Sequence, residues 1–241
     1  MRLIGKQTIF PCGLLVILLL LLGSTRGDNI IARQGWGMLA LEIVIITIAL
    51  LYWDFEQGRA SSREVAVIAI LGTIAAVARI PFAALPGVQP TTFIVIISGF
   101  VFGCRAGFMI GSTAALVSNF FLGQGPWLPW QMFAWGLAGV SAGVVNITFS
   151  HTGSKGLALF CFLWGYLFGW IMNFWSWLAF VHPLTWKTFV AYGVASFWFD
   201  TFHALANAVF YLCLGPSFMK ILKRFRRKLE VFTIDTDVTG P

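Results

Sequence analysis

Charge is the scarcest property of this chain. Only 10% of its 241 residues are Asp, Glu, Lys or Arg, against about a quarter in ordinary soluble domains. Hydrophobic residues make up 59%, and the mean hydropathy is +0.85. Most side chains therefore face lipid or other helices, and the expected class is an all-α integral membrane protein. Cysteine is sparse too. Cys12, Cys104, Cys161 and Cys213 are scattered through apolar stretches without a CxxC spacing, so no metal site is expected. Equally absent are HExxH, a P-loop GxxxxGK[ST] and a close pair of carboxylates in a span. No catalytic centre and no cofactor are expected, and any work driven by ATP needs an ATPase on another chain.

Glycine and tryptophan are abundant instead, at 25 and 11 residues. Glycine is frequent in membrane helices, and tryptophan gathers at membrane interfaces. The net charge of +7 is placed unevenly. Six of the 16 basic residues are Lys220, Lys223, Arg224, Arg226, Arg227 and Lys228, directly after the last apolar segment. That is where retention of positive charge on the cytoplasmic side puts them. A nucleic-acid partner is not expected, because no solvated domain presents the patch.

Residues 1–58 form an N-terminal extension of about two transmembrane helices. Arg2 and Lys6 precede an apolar run ending at Leu22, followed by Gly23, Ser24 and Thr25. This is the shape of a signal peptide or of a first transmembrane helix, and an uncleaved helix is preferred because more spans follow. A second run covers about Trp36 to Trp53. Residues 59–228 hold six further segments, roughly 64–80, 91–104, 106–122, 130–149, 156–181 and 188–219, and 229–241 are a polar tail. Pro81, Pro86 and Pro90 make an irregular loop after the first of these, as Pro126 and Pro129 do later. As one helix, 91–122 would be about 48 Å long, too long for an apolar core of about 30 Å. A hairpin turning at Cys104-Arg105-Ala106 also keeps Arg59, Arg63, Arg105, Lys155 and the 220–228 cluster on one side. The expected topology is therefore a multi-pass protein of the cell membrane with both termini cytoplasmic, and with loops 81–90, 123–129 and 182–187 outside.

Several residues are candidates for function. Asp200, His203 and Asn207 share one helical face at i, i+3 and i+7. Ionisable residues in a span face a cavity or a partner, so this face is a ligand site or a buried clamp. The stretch NFFLGQGPWLPWQ (119–131) sets the amides of Asn119, Gln124 and Gln131 around Trp127 and Trp130, which favours ligand contact over interface anchoring. Arg79, before the proline-rich loop, either snorkels to headgroups or meets an anionic group of a ligand, and Gln89 lies in the same loop. Asn173 and Trp177, one turn apart, line a cavity or join helices. Gly99, Gly103, Gly107 and Gly111 recur every four residues, as do Gly139/Gly143 and Gly165/Gly169, a spacing for close helix packing.

ARIPFAALPGVQPTTF (78–93), SGFVFGCRAGFMIG (98–111), NFFLGQGPWLPWQM (119–132) and DTFHALANAVF (200–210) with the basic tail together resemble the substrate-binding S component of energy-coupling factor (ECF) vitamin transporters. The resemblance covers about two thirds of the chain. It implies a six-helix bundle that captures one vitamin-like small molecule near the outer face, with loop 81–90 as gate. It also implies a membrane coupling subunit and two cytoplasmic ATPase subunits as partners, and toppling in the bilayer to release cargo. Two departures stand out: the extra N-terminal helices, and the lack of an Ala-xxx-Ala contact for the coupling subunit in the first core helix. Ala69/Thr73 and Gly72/Ala76 supply related pairs, so these four residues are the expected docking face. Cobalamin is the first candidate ligand, because indoles and amides suit a large ring bearing amide side chains. Riboflavin, folate, pantothenate and a queuosine-like base follow. The rivals are an intramembrane enzyme using Asp200 and His203, and a ligand-free scaffold.

The charge argument makes a direct prediction. A cysteine in place of Gln124 is expected to react with an impermeant thiol reagent added outside intact cells. Reaction only after permeabilisation would contradict the topology.

Overall fold

A computed structural model describes residues 4–24, 35–58, 61–149 and 152–238. Among the described residues the protein is helical throughout. The elements are α1 (Ile4–Ser24), α2 (Gly35–Gln57), α3 (Ser62–Arg79), α4 (Thr91–Phe102), α5 (Cys104–Leu122), α6 (Leu128–Thr148), α7 (Ser154–Phe180) and α8 (Trp186–Val238), with a 3-10 turn at Ile80–Phe82. Among the described residues four stretches are long and apolar enough to cross a membrane: Gly35–Gln57, Ser62–Phe82, Ser154–Phe180 and Trp186–Lys228. An N-terminal pair, α1 and α2, thus precedes a six-helix core, α3 to α8.

Local chemistry sets the helix ends. Ser61 caps α3 by accepting the Glu64 N–H at 3.1 Å, which satisfies one of the free donors of the first turn. Pro81 cannot continue an α-helix, and the chain tightens into the 3-10 turn there. α4 opens after Pro90 and stops at Gly103, whose φ of 91° suits glycine. α6 begins with Pro129 in its first turn, where a missing N–H costs nothing. α8 runs through Pro216 to Val238, well past the segment end at 219 that hydropathy marks. Thr25–Gly27 and Arg59 lie outside the described residues.

The expected hairpin between 91 and 122 is present, but its turn is Gly103 alone and Cys104 already belongs to α5. Gly99 and Gly107 straddle that turn and both lie against Gly139 of α6. A Cβ on Gly107 would stand 2.6 Å from the Gly139 carbonyl oxygen and 2.8 Å from the Gly99 Cα. On Gly99 or Gly139 it would overlap the facing carbonyl, and Gly111 meets Trp135 in the same way. The four-residue glycine spacing is therefore an internal seam of α4, α5 and α6. α4 is only about 18 Å long, and every residue from Thr91 to Val101 is buried.

A second seam joins α7 to α8. Gly165 lies on the Ala204 backbone and Gly169 on the Asp200 side chain. The N-terminal pair attaches from the side. Tyr52 and Ser112 share a hydrogen bond of 3.0 Å, and Arg105 pairs with Asp54 at 3.3 Å while donating to the Asp54 carbonyl at 2.6 Å. Arg226 donates to the Val101 carbonyl at 2.7 Å, so the C-terminal cluster and the α4–α5 turn share this basic end. The loops 83–90, 123–127 and 181–185 gather at the opposite end.

Candidate ligand site

The loop end is organised by Arg79, the last residue of α3. Its Nε donates to Gln89 Oε1 at 2.7 Å, and its Nη1 donates to Ser118 Oγ at 3.0 Å and Asn119 Oδ1 at 3.2 Å. Asn119 passes the contact on, with Nδ2 donating to Gln131 Oε1 at 2.7 Å. Four residues expected at the site thus form one hydrogen-bonded cluster from α3, the proline-rich loop, α5 and α6. The guanidinium also lies 5.1 Å from the ring centre of Trp135, which is fully buried, a cation–π distance.

Trp135 links this cluster to His203. Its Nε1 donates to Thr92 Oγ1 at 2.9 Å, and Thr92 Oγ1 lies 3.1 Å from His203 Nε2. His203 Nδ1 lies 2.8 Å from the Gly87 carbonyl, so Nδ1 carries the proton and Nε2 accepts from Thr92. Phe168 stacks on Trp135 at 4.8 Å and touches His203 at 5.3 Å. Gly87 has φ of 73°, and a Cβ there would stand 2.7 Å from the Phe199 carbonyl. The proline-rich loop is therefore latched onto α8 by backbone approach and by His203.

Asp200 has other partners. Its Oδ2 accepts from Ser196 at 2.8 Å and from Asn173 at 3.2 Å, and Asn173 also donates to Ser196 at 2.6 Å. Asn173 and Asp200 line a cleft of about 690 Å³ between α7 and α8, walled by Trp170, Trp186, Phe189, Phe197 and Trp198. Trp127 packs edge-on against Trp175, and Trp130 against Phe174. The Trp130 indole N–H is buried with no acceptor among the described residues, and so is the Asn207 amide.

Other residues named from the sequence lie apart from the cluster. Gln124 stays exposed in its loop, away from the cluster. Trp177 donates to Thr188 Oγ1 at 3.0 Å, so it joins α7 to α8 and does not line the cleft. On α3, Gly72 and Ala76 are buried while Ala69 and Thr73 are exposed. A Cβ on Gly72 would stand 2.8 Å from the Thr113 methyl, so a bulky residue there strains the core and is no probe of docking. Ser118, Thr92, Trp135, Phe168, Gly87 and Ser196 escape a reading by chemistry alone. Two of them carry a spacing signal, since Trp135 follows Gln131 by one turn and Ser196 precedes Asp200 by one.

The latch predicts a local effect. Losing a buried hydrogen-bond partner costs about 1–3 kcal/mol, so His203→Ala should speed amide exchange over residues 85–88 by about five- to a hundredfold. Trp177→Phe should leave that segment unchanged. Equal protection in His203→Ala and the wild type, by hydrogen-exchange mass spectrometry, would refute the latch.

Comparison with known proteins agrees with this architecture. The model of the family described as "ECF transporter, substrate-specific component" matches residues 63–215, which is the six-helix core without the N-terminal pair. No curated protein and no solved structure matches the chain. With the family model covering well over half of its length, the chain belongs to the substrate-specific components of ECF transporters.

Proposed function

We propose that this subunit captures a vitamin-like small molecule at the outer face of the cell membrane and delivers it inward with a membrane coupling subunit and two cytoplasmic ATPase subunits. The observation that carries the reading is the polar cluster of Arg79, Gln89, Asn119 and Gln131. It sits under the proline-rich loop, at the end opposite the basic residues. Both termini lie in the cytoplasm in this reading, because the basic end is then the retained one. The α7–α8 cleft, with Asn173 and Asp200 on its wall, is a separate cavity that shares no lining residue with the cluster. Cobalamin answers to the indoles and amides at the loop end. The cleft volume of about 690 Å³ falls in the range that encloses drug-sized molecules, which supports a ligand of one or a few fused rings over a corrin. Docking of the coupling subunit falls to the exposed small residues Ala69 and Thr73, with Ala66 beside them.

Catalysis by Asp200 and His203 finds no support. His203 has both ring nitrogens engaged and is 1% exposed, and Asp200 bonds to Ser196 and Asn173 instead of to the imidazole.

Native mass spectrometry of the protein purified in mild detergent tests capture. The expected result is one small molecule bound at near one-to-one ratio. Gln131→Ala, which releases Asn119, should retain about five- to a hundredfold less. A wild-type protein that carries nothing, after expression in rich medium, would contradict the capture role.

A further inference from the structure

Arg79 raises a question of charge. A guanidinium in a membrane-spanning helix is costly and normally meets a carboxylate or reaches the headgroups. Here, half-buried at the end of α3, it meets no carboxylate among the described residues. Its side chain turns inward to Ser118, Asn119 and the fully buried Trp135. Every acceptor it has is neutral, and among the described residues no carboxylate lies within ion-pair distance of it. The acids whose side chains are described lie elsewhere, with Glu42 inside α2. Asp54, Glu56 and Glu64 sit at the basic end, and the Asp200 carboxylate is held by Ser196 and Asn173.

Neutral acceptors orient a cation without cancelling it. Gln89, Ser118 and Asn119 take Nε and Nη1, and Gln131 fixes Asn119 in turn, so the plane of the guanidinium is set by three structural elements. Nη2 has no hydrogen-bond partner among the described residues. A purely structural clamp at this point would be stronger with one aspartate. An arginine held by amides and a hydroxyl, with one terminal nitrogen open, is a preorganised receptor for a planar or tetrahedral oxyanion.

We propose that the captured compound carries a carboxylate or phosphate group, and that this anion seats on Arg79 beneath the proline-rich loop. The proposal rests on the capture reading and adds to it a ligand class and the residue that selects it. Gln89 belongs to the loop and bonds the same guanidinium, so the anion and the loop report to one side chain. Neutral analogues of the ligand would leave Arg79 uncompensated and are rejected for that reason.

Fractionated yeast extract serves as the probe, so the compound need not be identified beforehand. The extract is split at neutral pH on a strong anion exchanger into a retained and a flow-through pool. Each pool is added to ligand-stripped wild type, Arg79→Lys and Arg79→Gln, and thermal unfolding is recorded. The retained pool should raise the wild-type midpoint, raise that of Arg79→Lys less, and leave Arg79→Gln unmoved. That pattern corresponds to an affinity loss of about 30-fold or more in Arg79→Gln. Phosphatase treatment of the retained pool separates the two sources: a phosphate ester loses its effect and a carboxylate keeps it. Stabilisation from the flow-through pool, or equal stabilisation of wild type and Arg79→Gln, overturns the anion site while leaving capture intact. If no pool stabilises the wild type, capture itself fails and this inference with it. Should Arg79→Gln not fold, the partition of the wild-type activity between the two pools still decides.

Discussion

In a bilayer, helices gain little from burying apolar surface against each other, because lipid tails are as apolar as leucine. Association then depends on how closely backbones can approach. In this protein that approach is made at Gly99, Gly107 and Gly139, where the facing carbonyls leave no room for a Cβ. The contact does more than hold three helices. It draws α4, a helix too short to span the membrane, wholly inside the bundle. Thr91 and Thr92 at the start of α4 then arrive beneath the loops, fully buried and hydrogen-bonded to the Ala75 carbonyl, Trp135 and His203.

The polar apparatus depends on that placement. With α4 fixed, Trp135 has a partner on one side in Thr92 and a stacking surface on the other in Phe168. Arg79 lies over the same indole, so the cation, the aromatic pair and the imidazole form one continuous path from α3 to α8. The α7–α8 seam plays the matching part for Asp200. Glycine at 169 lets the carboxylate sit against the helix backbone, where Asn173 and Ser196 reach it. Two tight seams thus support two polar groups at the same end of the molecule, and the proline-rich loop is tied to Arg79 by Gln89 and to α8 by Gly87.

Much of this is legible in the sequence, for reasons that differ from residue to residue. The hairpin can be inferred because lipid thickness and charge retention restrict where a chain can turn. Its turn residue cannot, since Gly103 looks like any other member of a four-residue glycine series until its backbone angle is known. The face of Asp200, His203 and Asn207 follows from helical period alone, and all three are buried. Period does not say which neighbour each one meets, so the separation of Asp200 from His203 into different networks is not readable. Trp135 escapes notice because a tryptophan between apolar residues carries no chemical signature of a site. Gly72 and Ala76 are misplaced on the docking face because small-residue spacing serves internal packing and external contact equally, and only burial tells them apart.

The proposed division of labour is capture by this chain and energy from other subunits. The most direct measurement is uptake into sealed proteoliposomes loaded with ATP, using the compound that the purified protein retains. The protein alone is expected to bind the compound without concentrating it, and co-reconstitution with a coupling subunit and its two ATPases is expected to produce accumulation against a gradient. Uphill accumulation by this chain alone would contradict the account.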